Sequence, residues 1–231
     1  MLRNVLSPAL HALHRAVEWV GEITPGTRAA SRFAHFGEKS LIAFPHATIL
    51  GERGIHVGSE VLIGRHCTLA LGYGPGDHPL PERGLVIGDR CVIGASSTLT
   101  AHESIVLGDD VWFGQSVFVS DASHGYQDPE VPIGHQLGQH QPVSIGSGSW
   151  IGHGAVILPG TTIGRNVVVG AGSVVRGDVP DHCVVAGVPA RVVRRLEPGV
   201  GWVGSRPDDV RPIWSTKEIA RLLGGGSDTG S

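Results

Sequence analysis

The sequence predicts an all-β chain wound as a parallel β-helix, with a short helix near each end, and three observations carry that prediction. An aliphatic residue recurs every six positions through Ile145, Ile151, Ile157, Ile163, Val169 and Val175. The same step runs through Val57, Ile63 and Leu69, through Ile87, Ile93, Leu99 and Ile105, and, after a two-residue slip, through Leu107, Phe113 and Val119. Four positions after these sit small or apolar residues such as Val61, Cys67, Cys91, Ser97, Ala155 and Val167. Glycine supplies 35 of 231 residues, about twice its usual share, while charged residues fall to 17%, which suits tight corners rather than disorder.

A six-residue step is a multiple of the strand period, so each repeat turns the same face inward. On a helix of 3.6 residues per turn the aliphatic row would wander around the axis. Residues from about 49 to 190 therefore read as stacked strand-and-corner coils, each burying its inner ladder on its neighbours. The glycine after the aliphatic fits a corner where a side chain would crowd or φ must be positive.

Ahead of the coils, Ser7 and Pro8 read as N-cap and first position of a helix whose Leu10, Leu13, Val17 and Val20 form an apolar face ending at Gly21. That face is expected against a solenoid end or a partner subunit rather than a membrane. Two segments break the rhythm, 71–84 and 125–142, and read as long irregular loops suited to binding residues. Beyond the coils, Ser215 and Glu218 have capping-box spacing before Ile219, Leu222 and Leu223, with Gly224 as the stop and a mobile glycine-serine tail after it. The expected divisions are 1–48, 49–195 and 196–231.

Composition excludes several classes of function. The formal charge of −3 gives no field for a phosphate backbone, so no nucleic-acid partner is expected. No apolar run reaches the eighteen or so residues a membrane helix needs, and the N-terminus lacks a signal-peptide pattern. Cys67, Cys91 and Cys183 cannot all pair, and their wide separation fails zinc-finger spacing. They fall on inward small positions and read as buried apolar groups in a cytoplasmic protein.

The stretch Val143 to Arg194, VSIGSGSWIGHGAVILPGTTIGRNVVVGAGSVVRGDVPDHCVVAGVPARVVR, resembles the C-terminal half of hexapeptide-repeat acyltransferases, above all the galactoside, maltose and polysaccharide O-acetyltransferases. The resemblance is close over about 50 residues and extends over about 140 by repeat pattern. It implies a left-handed β-helix, an exception to the right-handed crossover rule. It also implies a homotrimer with active sites between subunits, and acyl-CoA (acetyl-CoA or longer) as co-substrate with no metal required.

Acyl transfer from a thioester to a hydroxyl needs a base for the hydroxyl proton and donors for the oxygen that becomes anionic. Histidine has a free pKa near working pH, and His124, closing a repeat as the chain enters the second loop, is the expected general base. Relatives carry their catalytic histidine at that point. Asp121, three residues earlier, is a candidate to orient that imidazole or touch the acceptor. The backbone around Gly152 and His153 matches the place where relatives hold the oxyanion. For coenzyme A the resemblance assigns Trp150 along the pantetheine arm, Ala171 and Gly172 as backbone contacts, and Arg191 and Arg194 near the phosphates. Arg176 stands where relatives carry Thr-Lys, so a phosphate contact is expected to have moved to it. Ser96, His102 and Tyr126 are the acceptor-side candidates, and Tyr73, Asp77 and Asp128 in the loops are further polar candidates for a saccharide.

Two other classes compete. A zinc enzyme of the γ-carbonic-anhydrase type would use His102, His135 and His140, but His135 and His140 lie in a proline-bounded loop rather than on stacked repeats, so no metal site is expected. A non-catalytic β-helix scaffold is the other, since a fold alone does not fix function.

Overall fold

The computed structural model describes residues 2–74, 79–206 and 208–222, with the side chains of residues 2–5 outside the description. Two compact units divide it, Met1–Val192 and Val193–Ser231.

The first unit is a parallel β-helix with three strands per turn. Strands of the first face run His35–Phe36, Ile55–Val57, Leu85–Ile87, Ile105–Leu107, Val143–Ile145, Thr162–Ile163 and Asp178–Val179, each hydrogen-bonded in parallel to the next. The second face follows the same rule from Leu41–Ile42 through Trp112–Phe113 and Trp150–Ile151 to Cys183–Gly187, and the third from Thr48–Leu50 through Thr98–Ala101 and Phe118–Ser120 to Val174–Val175. Register is strict: Phe113 pairs with Ile151, and Ile151 with Val169.

Every aliphatic of the repeat is buried, from Val57 to Val175, and so are the residues four positions on, the three cysteines included. Buried serines at those positions link consecutive turns: the Ser149 hydroxyl donates to the Gly164 carbonyl at 3.0 Å and accepts the Val167 N–H at 3.1 Å. Each such side chain satisfies polar groups that burial would otherwise leave unpaired.

Of the expectations above, one is narrowed and two need correction. The glycines after the aliphatics are required by crowding alone: a Cβ on Gly152 would lie 2.6 Å from the Ala171 amide nitrogen. The left-handed backbone sits two residues later, at positions such as Glu60, Arg90, Ser96 and Asp110. The two-residue slip at Ile105 is no repeat of its own, because Ile105 and Leu107 are both inward residues of one first-face strand, and the extra length is a wider corner at His102 to Ser104. A first turn, His35 to Leu50, also precedes the regular repeats.

The N-terminal helix, α1, spans Leu2–Gly21, so it begins before Ser7 and places Pro8 inside it. Leu6 extends the apolar i, i+3/i+4 row backwards, which explains the earlier start. Leu6, Leu10, Leu13 and Val20 are exposed in the single chain, so the face does not rest on a solenoid end. The base of the helix is tied down instead by Arg65, which meets Glu18 at 2.8 Å.

In the second unit, strands Gly201–Gly204 and Val210–Arg211 pair antiparallel with each other, and Arg194 to Glu197 pair with the former. The C-terminal helix, α2, spans Thr216–Leu222. Its capping box is reciprocal: the Ser215 amide donates to Glu218 at 2.6 Å and the Glu218 amide donates to the Ser215 hydroxyl at 3.3 Å. Leu223, Gly224 and the tail lie outside the described residues, as does Asp77.

Candidate active site

The edge where the third face turns into the first collects most of the polar side chains singled out above. The third-face strand Phe118–Ser120 ends at Asp121, whose side chain is fully buried. Its carboxylate accepts the N–H groups of His102 (2.9 and 3.0 Å), Glu103 (2.8 Å) and Ser104 (2.8 Å) from the preceding turn. The wide corner thus presents three amides to one buried charge, a clasp that closes one coil on the next.

Past Asp121 the chain leaves the coil as a strand, Ala122–His124, paired antiparallel with Leu137–His140. The segment 125–142 thus returns as the second strand of a hairpin arm, Leu137–His140, while 125–136 is the irregular loop expected, apart from a single 3-10 turn at Ile133–His135. Gly138 is needed in it, because a Cβ there would strike the Ser123 carbonyl. Gln136 fastens its inside: the side-chain amide donates to the carbonyls of Asp128 and Val131, both at 2.8 Å.

His124 is exposed on this arm, and its Nδ1 lies 3.4 Å from the Gln136 carbonyl. A carbonyl only accepts, so in that contact Nδ1 carries the proton and Nε2 keeps the lone pair a base needs. The orienting role expected of Asp121 thus passes to Gln136: the aspartate is committed to the corner amides and makes no hydrogen bond to His124 among the described residues.

Beside His124 opens a cleft of about 230 Å³, walled by Ser123, His124, Tyr73, His102 and His140. The Tyr73 hydroxyl is hydrogen-bonded to His140 Nε2, and the rings of His102 and His140 stack with centroids 5.0 Å apart. His140 and Tyr73 are 67 residues apart in sequence, so no local pattern announces their pairing. Tyr126 is 76% exposed and is not among the residues that line the cleft.

Residues 142–177 match the family model described as bacterial transferase hexapeptide (six repeats), and residues 84–114 match the hexapeptide repeat of succinyl-transferase. Over these stretches the chain is similar to hexapeptide-repeat acetyltransferases. A probable acetyltransferase of Mycobacterium tuberculosis is 33% identical over 153 residues, covering 66% of this chain and 45% of the relative. The galactoside O-acetyltransferase of Escherichia coli is 38% identical over 104 residues, covering 43% of this chain and 48% of the relative. Among solved structures, AntD, an N-acyltransferase from Bacillus cereus in complex with dTDP and coenzyme A, shares the fold with a TM-score of 0.61 at 24% identity, over 74% of this chain and 90% of that one. The chain spans about half the length of the curated relatives it matches.

Five other candidate residues of this hexapeptide-repeat chain occupy a different edge. Ser96, Gly152, His153, Ala171 and Gly172 all lie where the second face turns into the third, with Ser96 at φ 61° and Gly172 at φ 67°. The His153 carbonyl accepts the Gly172 amide at 2.8 Å, so the corners of successive turns are stacked there. Trp150 stands outward on the second face, 52% exposed and in register with Trp112. Arg176 is exposed after the last third-face strand, and Arg191 is exposed with its guanidinium on the Ala190 carbonyl at 2.8 Å. Arg194 belongs to the second unit and is paired with Asp209 at 2.6 Å, which pulls that carboxyl below its usual range.

Proposed function

We propose that the chain is an acyl-CoA-dependent acyltransferase that moves an acyl group, acetyl by default with longer chains open, to a hydroxyl of a sugar, glycoside or polysaccharide precursor. His124 carries this reading: an exposed imidazole at a cleft wall, with Nδ1 held by a carbonyl and Nε2 left to accept a proton. Nε2 takes the acceptor hydroxyl proton as the oxygen bonds to the thioester carbon. The backbone around Gly152 and His153 holds the oxyanion, the carbon–sulfur bond breaks, and the imidazolium returns its proton to the departing thiolate. No covalent enzyme intermediate forms.

In this reading Trp150, Ala171, Gly172, Arg176 and Arg191 receive coenzyme A, and His102 and Tyr126, with Ser96, meet the acceptor. The coils wind left-handed, and the protein works as a cytoplasmic homotrimer. The separation of the candidates supports the trimer. His124 stands on one edge of the three-faced coil and Gly152, His153, Ala171 and Gly172 on another, so a site made of both draws its edges from two copies.

A thiol-release assay over acetyl and longer acyl-CoA donors, against sugars bearing hydroxyl or amino groups, tests the proposal. His124→Ala is expected to lower turnover by roughly 10²-fold or more. An undiminished rate removes His124 from the mechanism, transfer to amines alone replaces the hydroxyl acceptor, and native mass spectrometry giving a monomer removes the shared site.

A further inference from the structure

We propose that His102, Asp121 and His140 form a divalent-cation site in the wall of this cleft, suited to zinc or a similar borderline ion. One donor atom from each residue lies within 4.8 Å of the other two. Two imidazoles and one carboxylate are a donor set that zinc accepts with a fourth position left open.

Three features of the cluster make sense together only with a cation among them. The Nδ1 atoms of His102 and His140 are both buried and have no hydrogen-bond partner among the described residues, a cost that native structures normally avoid. His102 Nδ1 lies 3.6 Å from Asp121 Oδ1, too long for a direct hydrogen bond. That spacing is close to the edge of a tetrahedral zinc site, about 3.4 Å for bonds of about 2.1 Å. Finally, the carboxylate is not used up: Oδ2 takes the corner amides of Glu103 and Ser104, while Oδ1 receives only the His102 amide and keeps an acceptor site.

The neighbouring groups hold the ligand rings as the partners of metal-bound histidines usually do. The Tyr73 hydroxyl holds His140 at Nε2, which leaves Nδ1 as the atom free to bind a cation. This arrangement depends on the hairpin arm, since Ala122 pairs with His140 and so carries the second imidazole back over Asp121. His135, which the sequence also offers as a ligand, is not in the cluster.

The inference stands on this geometry and not on the acyl-transfer reading, and no step of the proposed transfer passes through the cation. The test uses the full chain, stripped with chelator and titrated with zinc alone by calorimetry, with cobalt absorption as a second report on coordination. About one ion per chain is expected, with a rise in Tm on zinc addition. His140→Gln and His102→Gln should each weaken binding by roughly 10²-fold and Tyr73→Phe by roughly 10-fold, while His124→Ala leaves it unchanged. Circular dichroism checks folding, and His140→Gln, on the arm outside the coil core, keeps the test open if His102→Gln misfolds. No zinc binding, binding that survives both glutamine variants, or binding lost with His124 overturns the assignment.

Discussion

Asp121→Ala removes a single carboxylate yet should cost more than any surface change in the protein, because three amides depend on that group. The His102, Glu103 and Ser104 N–H groups reach it at 2.8–3.0 Å, and the side chain has no exposure to water. A hydrogen bond to a charged acceptor is worth about 1.5–3 kcal/mol, so three lost at the low end give about 4–6 kcal/mol. For a chain of this size that lowers Tm by about 10–20 °C. Asp121→Asn keeps one acceptor oxygen but turns an NH₂ toward a donor, and should cost about 3 kcal/mol. Ser120→Ala is the control, since its hydroxyl serves only local contacts at 3.2–3.3 Å and should cost about 1 kcal/mol. Calorimetry measures the shifts, and hydrogen exchange at residues 102–104 locates them. An Asp121→Ala protein melting within about 2 °C of the parent would refute the clasp and the view that it sets the root of the His124 arm.

Ile151, fully buried between Phe113 and Val169, should lose about 2–5 kcal/mol on change to Ala in urea unfolding, and a smaller loss would mean that the stack tolerates voids. Burial pushes the Cys91 thiol up to about 11, so at pH 8 about one in a thousand is thiolate, and iodoacetamide should label it only after unfolding. The Ser215 hydroxyl holds the Glu218 carboxyl below its usual range. A depressed carboxyl stabilises above its unfolded pKa and loses that contribution as pH falls through the folded value, so α2 should fray on acidification, read by carbon chemical shifts. Trp150→Ala should raise KM for the acyl donor by roughly 10-fold with little change in kcat, and an unchanged KM would take this ring out of the donor site.

The stack was legible because burial repeats every six residues, and a period of that kind survives in the sequence without any knowledge of partners. The first turn, His35 to Leu50, escaped because Phe36 and Ile42 keep the step while the next inward residue, Ile49, falls one position late, past Phe44 and Pro45. The hairpin arm escaped for a different reason: Ala122–His124 and Leu137–His140 carry glycine, glutamine and histidine with no alternation of apolar side chains, so nothing local marks them as strands.

His124 was legible as an imidazole at a break in the repeat, but the group that orients it was not. A backbone carbonyl leaves no trace in sequence, whereas Asp121, near at hand and acidic, invited the wrong pairing. Asp121 instead reaches back 17 to 19 residues, one turn of the coil, to a corner whose only sequence sign was the two-residue slip before Leu107. That slip and that aspartate are one feature: widening the corner exposes three amides, and the amides give a buried carboxylate its partners. The same widening brings His102 to the cleft wall, 3.6 Å from Asp121 and stacked on His140. Closing the coil and furnishing the cleft are therefore not separable tasks here, and substitutions at Asp121 should alter both together, which a purely structural aspartate would not.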